Sequence, residues 1–198
     1  MGPSDTELIA RVLARDDRHA YASLVRRYQS QVRSLLRRLT CGDGALADDI
    51  AQETFLAAYR GLPRYRAQGR FSSWLYRIAY HAWVDATRAG RRVEAAALEV
   101  PGEVRSSGFD AEPNASQTEV ARAEARHDLE RAMSVLRDAE RAALALTYAA
   151  DATHEEAAVI LGCPVGTVKS YVMAAKIKLR AALQEADAPL GVHAVSER

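Results

Sequence analysis

Cysteine is almost absent, with Cys41 and Cys163 the two in 198 residues. That leaves no metal-ligand spacing and no disulfide framework, as expected of a reducing compartment. No apolar run is long enough to span a membrane, so membrane insertion is not expected. The start, MGPSDTELIARV, is acidic and polar and lacks the pattern of a signal peptide; a cytoplasmic location is expected. Period-two runs of Val, Ile and Thr are missing too, which argues against β-structure. What remains is dominated by alanine and arginine. Hydrophobic residues at 48% and charged residues at 27% make the chain globular, and its composition makes it all-α. A length of 198 residues holds one ordinary domain or two small ones.

The formal net charge of +1 hides strong segregation. GDGALADDIAQETF (Gly42 to Phe55) carries Asp43, Asp48, Asp49 and Glu53 and no Lys or Arg. The next stretch, Tyr59 to Arg92, carries Arg60, Arg64, Arg66, Arg70, Arg77, Arg88, Arg91 and Arg92 against a lone Asp85. VEAAALEVPGEVRSSGFDAEPNASQTE follows, acidic apart from Arg105 and with one aromatic; it has too little apolar area to fold and reads as a flexible linker. Helical periodicity returns near Ala121 and holds to about Glu185. The expected layout is a helical domain over 1–92, a linker over 93–120, a second helical domain over 121–185 and a frayed tail over 186–198.

EEAAVILGCPVGTVKSYV, from Glu155 to Val172, breaks a helical pattern for a few residues and resumes it. Ala157, Ala158, Ile160 and Leu161 give a short amphipathic helix. Gly162 suits its left-handed C-cap, and Pro164 stands where the next helix starts. Val168, Val172, Ala175 and Leu179 then form one buried stripe. Two short helices across a Gly-containing turn make a helix-turn-helix, whose second helix enters the major groove of DNA. Thr167, Lys169, Ser170, Tyr171, Met173 and Lys176 lie off the stripe and are the candidate base and phosphate contacts. An ordinary αα-hairpin with a solvated basic face is the plainer alternative. Gly162, Pro164 and a second helix that holds Lys169, Lys176, Lys178 and Arg180 with no acid before Ala182 favour DNA.

Phe71, Leu75, Ile78, Ala82 and Asp85/Ala86 follow helical spacing and should pack inward. Trp74, Tyr76, Tyr80, His81 and Trp83 are too many rings for one buried face, so some should be exposed or lie in a groove. Arginines interleaved with aromatics suit single-stranded nucleic acid, with cations along the backbone and rings stacked on unpaired bases. The acidic helix, anchored by Ile50, Phe55, Leu56 and Tyr59, repels phosphate and should face another protein or the chain's own arginines. No nucleophile or metal cluster accompanies His81 and Asp85 at i, i+4, so no enzyme activity and no cofactor or metal are expected.

At these residues the chain resembles the extracytoplasmic-function (group 4) sigma factors of bacterial RNA polymerase. DDIAQETFLAAYRGLPRYRAQGRFSSWLYRIAYHAWVDATR is similar to the family's D-x-x-Q-E-x-F, F-x-x-W-L-x-x-I-A and D-x-x-R signature of region 2. EEAAVILGCPVGTVKS is similar to the E-x-A-x-x-L-G-x-P-x-G-T-V-K-S core of region 4. The resemblance covers about Asp16 to Arg92 and about Leu129 to Leu183. It implies docking on the β′ clamp helices and β flap of core RNA polymerase, with Asp48, Asp49, Gln52, Glu53, Phe55 and Leu56 at the clamp. It implies a minus-ten strand contact by Arg64, Tyr65, Arg66, Arg70, Phe71, Ser73, Trp74, Arg77, Tyr80, His81 and Arg88. Pro164, Thr167, Lys169, Ser170, Tyr171, Met173 and Lys176 would then read the minus-35 duplex of promoter DNA. An anti-sigma factor is a further implied partner, and the acidic linker would thread towards the polymerase active centre. The chain departs from the family at Tyr80-His81, usually Arg-Asn, and at Tyr171 to Ala175, where basic residues are lost. A free-standing helix-turn-helix regulator, binding duplex without polymerase, is the alternative; it leaves the acidic helix and the Arg-aromatic segment without a task.

Overall fold

The computed structural model describes residues 2–97 and 117–187. The chain is all helical over them, with two packing units joined along a seam. The first contains α1 (Asp5–Arg15), α2 (Arg18–Leu39), α3 (Gly44–Gly61), a 3-10 turn (Leu62–Arg64) and α4 (Phe71–Ala97). The second contains α5 (Gln117–Ser134), α6 (Asp138–Tyr148), α7 (His154–Leu161) and α8 (Val165–Asp187). The expected linker over 93–120 and tail over 186–198 lie mostly outside the described residues. At their edges α4 continues to Ala97, α5 begins at Gln117 and α8 reaches Asp187. Alanine-rich sequence at the ends of α4 and α8 lets an existing helix propagate, because adding a residue to a formed helix costs far less than starting one.

Local chemistry sets the helix starts. Ser4 and Glu7 form a capping box, with the Ser4 N–H donating to Glu7 Oε2 at 2.7 Å and the Glu7 N–H to Ser4 Oγ at 3.3 Å. Asp17 caps α2 by accepting from the Ala20 N–H at 3.0 Å, and Asp43 caps α3 by accepting from the Leu46 N–H at 2.9 Å. Thr153 and Glu156 repeat the capping box at α7. Leu24, Val32, Leu35, Leu36 and Leu39 of α2, Ile50 and Ala58 of α3, and Leu75, Ala79 and Trp83 of α4 fill the first core. Ala142, Ala143 and Leu146 of α6, Ala157, Ala158 and Ile160 of α7, and Val168, Val172 and Ala175 of α8 fill the second. The small alanines let these short helices approach closely.

The stripe on α4 is rotated from its expected position. Phe71, Ser72, Leu75, Tyr76, Ala79 and Trp83 are buried, whereas Ile78 and Ala82 are half-buried and Asp85 is exposed. Large rings at positions 76 and 83 outweigh the smaller residues at 78 and 82, because a ring removes more apolar area from water. The two cores merge into one apolar cluster across the seam, where α2 packs on α6 and α4 on α7. Arg141 of α6 reaches over and donates to the carbonyl of Leu39 at 3.2 Å.

Glu140, in the first turn of α6, has no exposed surface. Its carboxylate accepts from Arg137 Nη2 at 2.6 Å and from Lys178 Nζ of α8 at 2.7 Å. The Arg137 hydrogen bonds draw its pKa down, burial opposes them, and Lys178 adds to the lowering; the result is about 2. The folded pKa lies below the ordinary 4.5, so this contact stabilises fully above pH 4.5 and is lost as pH falls through about 2. Arg137 and Lys178 keep access to water, so Glu140→Gln should cost about 1.5–3 kcal/mol, the range for charged hydrogen bonds, and not more. Urea midpoints of the full chain test this. The gap between wild type and Glu140→Gln should stay constant from pH 7 to about 4.5 and close towards pH 2.

Candidate nucleic-acid interface and docking groove

α2 and α3 leave a groove of about 540 Å³ between them, lined by Tyr21, Val25, Gln52, Phe55, Leu56 and Tyr59 among others. Phe55 is half-buried, and Leu56 is 57% exposed. Asp49, Gln52 and Glu53 are exposed along the same helix. Asp48 does not share that freedom: it is half-buried, with its carboxylate 3.1 Å from Arg33 Nε of α2. The α2 wall of the groove was not foreseen. Its signal was Tyr21, Val25 and Gln29 at four-residue spacing, along the edge of the same apolar face as Val32, Leu36 and Leu39.

The Arg-aromatic segment divides. Phe71, Tyr76 and Trp83 are core. Phe71, expected among the strand contacts, is 5% exposed and lies 5.4 Å from the Tyr28 ring and 5.5 Å from that of Trp74. It opens α4 at the point where that helix meets α2, so its ring cements the bundle and is not free to stack on a base. Tyr65, Trp74 and Tyr80 are half-buried, each with part of a ring reachable, and His81 is exposed. Arg64, Arg66, Arg70, Arg77 and Arg88 are all exposed. By helical spacing Trp74, Arg77, His81 and Arg88 share one open face of α4. Ser73, Tyr80 and Arg91 share the adjacent stripe, which turns towards the second unit. Burial raises the Tyr80 pKa, and Cys163, Asp138 and Tyr171 of that unit lie close enough to act on it.

The helix-turn-helix has the expected build. α7 and α8 are inclined at 101°, and Gly162 ends α7 at φ 66° and ψ 35°. Pro164 stands one residue before α8, and its carbonyl accepts from the Thr167 N–H at 2.9 Å. Lys169, Ser170, Met173 and Lys176 are exposed, and Thr167 and Tyr171 are half-buried. Two groups have other occupations: the Ser170 hydroxyl donates to the Gly166 carbonyl at 3.0 Å, and Lys176 Nζ stands 4.7 Å from the centre of the Tyr148 ring. Lys178, counted among the acid-free cations of this helix, is committed to Glu140.

Known proteins agree with this arrangement. The family described as Sigma-70 region 2 matches residues 24–93, and Sigma-70, region 4 matches residues 126–179. The chain is 33% identical to the RNA polymerase sigma-H factor of Pseudomonas aeruginosa over 183 residues, 91% of this chain and 94% of that protein. The chain belongs to the sigma-70 family, in its ECF group. The ECF RNA polymerase sigma-E factor of Escherichia coli K12 is 34% identical over 178 residues, covering 87% of this sigma factor and 91% of its relative. Among solved structures, CnrH in complex with the cytosolic domain of CnrY superposes with a TM-score of 0.67 at 24% identity, over 92% of this chain and 98% of that one. The sigma factor RpoE in complex with the anti-sigma factor NepR from Bartonella quintana superposes with a TM-score of 0.66 at 22% identity, over 83% and 96%. Both share the fold of this sigma factor.

A Cβ at Gly162 would meet nothing within 4 Å, so the left-handed backbone alone makes glycine the fitting residue there. Gly162→Ala in this sigma factor should therefore lower stability by about 1–2 kcal/mol, the left-handed penalty, without any steric contribution. Chemical denaturation of the full chain measures it.

Proposed function

We propose that this sigma factor docks on core RNA polymerase through α3 and the α2–α3 groove and carries two separate DNA readers to a promoter. Arg77, His81 and Arg88, with Trp74 and the loop arginines Arg64, Arg66 and Arg70, take the opened minus-ten strand. Thr167, Lys169, Tyr171 and Met173 take the minus-35 duplex. The observation that carries the reading is the separation of charge by surface. One exposed helix bears acids beside apolar Leu56 and repels DNA, while α4 and α8 expose cations beside rings and short polar groups. A free-standing duplex regulator has no use for the first surface. Docking on the β′ clamp helices and β flap, action in the cytoplasm and domain limits near 1–92 and 121–185 belong to the same proposal. So does restraint by an anti-sigma protein covering the α2–α3 groove or the helix-turn-helix, since RpoE is described as bound to the anti-sigma factor NepR.

Run-off transcription on a genomic library, with core polymerase and with or without the chain, tests the whole reading. Start sites that depend on the chain are expected; duplex binding that needs no core enzyme, with no new start sites, favours the regulator. Asp49→Lys with Glu53→Lys should abolish co-purification with core enzyme. Both side chains are exposed, so the fold should change by no more than about 0.5 kcal/mol. Wild-type recovery of core enzyme would remove α3 from the docking surface. Lys169→Ala should weaken minus-35 duplex binding in the holoenzyme alike on all sequences and reduce the salt slope by about 1, as loss of one phosphate contact does.

A further inference from the structure

A cavity of about 510 Å³ lies between α2 and α5 and holds none of the groups assigned to promoter DNA. Its volume is that of a small-molecule site. The α2 wall is polar: Ser30, Arg33, Ser34, Arg37 and Arg38 line one side of the helix, which ends in the turn that carries Cys41. The α5 wall is Leu129 and Met133, with Glu130 beside them.

The three guanidiniums are engaged unequally. Arg33 turns its Nε to Asp48 at 3.1 Å, which holds it at the cavity edge. Arg38 donates to the Ser34 hydroxyl at 2.9 Å, a neutral partner. Among the described residues no carboxylate pairs with Arg37 or Arg38. Like charges one helical turn apart repel, as Arg33 and Arg37 do, and a polyanion relieves that repulsion. The far end of the cavity has the opposite sign. Glu130 is half-buried, and a Cβ at Gly42 would collide with its carboxyl. Glycine in this turn, at φ 91°, therefore seats the carboxylate against the backbone. About 9 Å of helix rise separates Arg33 from Leu39 at the end of α2, so the basic and acidic ends stand well apart.

A bare anion satisfies the arginine end and is repelled by Glu130. An apolar molecule satisfies neither end. The lining fits a molecule with a multiply charged end, an apolar body for Leu129 and Met133, and hydroxyl or amine donors for Glu130. We propose that this cavity binds a nucleoside diphosphate or a longer nucleoside polyphosphate. Its phosphates lie against Arg37, Arg38 and the hydroxyls of Ser30 and Ser34, since the planar guanidinium fork matches phosphate oxygens. Its base lies on Leu129 and Met133, and Glu130 accepts from a sugar hydroxyl or an exocyclic amine. The ligand touches α2 of the first unit and α5 of the second, so occupancy stabilises their packing by mass action.

Isothermal titration calorimetry on the full chain, at one salt concentration, compares ADP, GDP, CDP and UDP with inorganic pyrophosphate and with the matching nucleosides. At least one diphosphate should bind about tenfold more tightly than pyrophosphate or its own nucleoside. Arg37 is exposed and unpaired, so Arg37→Gln should leave the fold intact and weaken that nucleotide about tenfold, the loss of one charge-assisted hydrogen bond. Arg60→Gln makes the same charge change on α3 outside the cavity and should leave the affinity unchanged. Glu130→Gln should tighten pyrophosphate and so narrow the lead of the nucleotide. The proposal is overturned if no nucleotide saturates the chain below about 1 mM, if pyrophosphate binds as tightly as every nucleotide, or if Arg37→Gln matches wild type. Displacement of the nucleotide by a minus-ten single-stranded oligonucleotide would place it on the DNA face and overturn the proposal as well, while leaving the promoter reading untouched.

Discussion

A carboxylate with no access to water governs how the recognition helix is presented. Glu140 ties the start of α6, through Arg137, to the middle of α8, through Lys178. Short alanine-lined helices bury little area each, so hydrophobic packing alone fixes their spacing better than their rotation. A buried charge is less permissive, because it must meet its cations in good geometry or bear the cost of desolvation. Holding α8 by one lysine sets the azimuth of its other side. Lys169 and Met173 consequently point to solvent while Val168, Val172 and Ala175 point to the core. The clamp also consumes a cation that a count of basic residues would have given to DNA.

Much of this was readable from the chain itself. Gly162, the flanking apolar stripes and Pro164 announced the helix-turn-helix, because a left-handed cap and a missing N–H restrict the backbone through local sterics alone. The acidic helix was equally plain, since like charges gathered on one short stretch survive any reasonable packing as a surface. α4 was read less well. Phe71 and Leu75 pack inward as their spacing suggested, but the rings satisfy more than one helical face, and tertiary neighbours draw Tyr76 and Trp83 into the bundle in place of Ile78 and Ala82. The ion pair of Asp48 was hidden for a similar reason, because its partner Arg33 is distant in sequence and adjacent only after folding. The seam was beyond sequence reasoning altogether. Glu156 reads as the third residue of a capping box, which it is, and nothing local reveals that its carboxylate also meets Ser73.

Charge segregation along the chain acquires a second meaning in three dimensions. The acids of α3 face outward beside Leu56, while the acids at the helix starts of the second unit face the arginines of the first. Helix N-termini favour carboxylates on electrostatic grounds, so Asp138 and Glu156 are well placed before any seam forms. The same two groups thus stabilise their own helices and supply the counter-charge for α4. Burial raises the Glu156 pKa, but hydrogen bonds from Ser73 and Thr153 and the charge of Arg70 outweigh it and leave the carboxyl below its usual range. It stays ionised at neutral pH, and the contact needs no protonation event to form or break.

The two cysteines take on a use of their own from where they stand. Cys41 lies in the turn between α2 and α3, where Glu130, Asp138 and Arg141 of the second unit act on it, and Cys163 lies in the turn of the helix-turn-helix beside Tyr80. Both are half-buried and neither is bonded to another sulfur. Burial pushes the Cys41 thiol up, which starves it of the thiolate that alkylating reagents attack. Any change that loosened the packing of α5 and α6 against this turn would bare the sulfur to water, so the rate of thiol capture at position 41 is a direct gauge of how tightly the two units pack there.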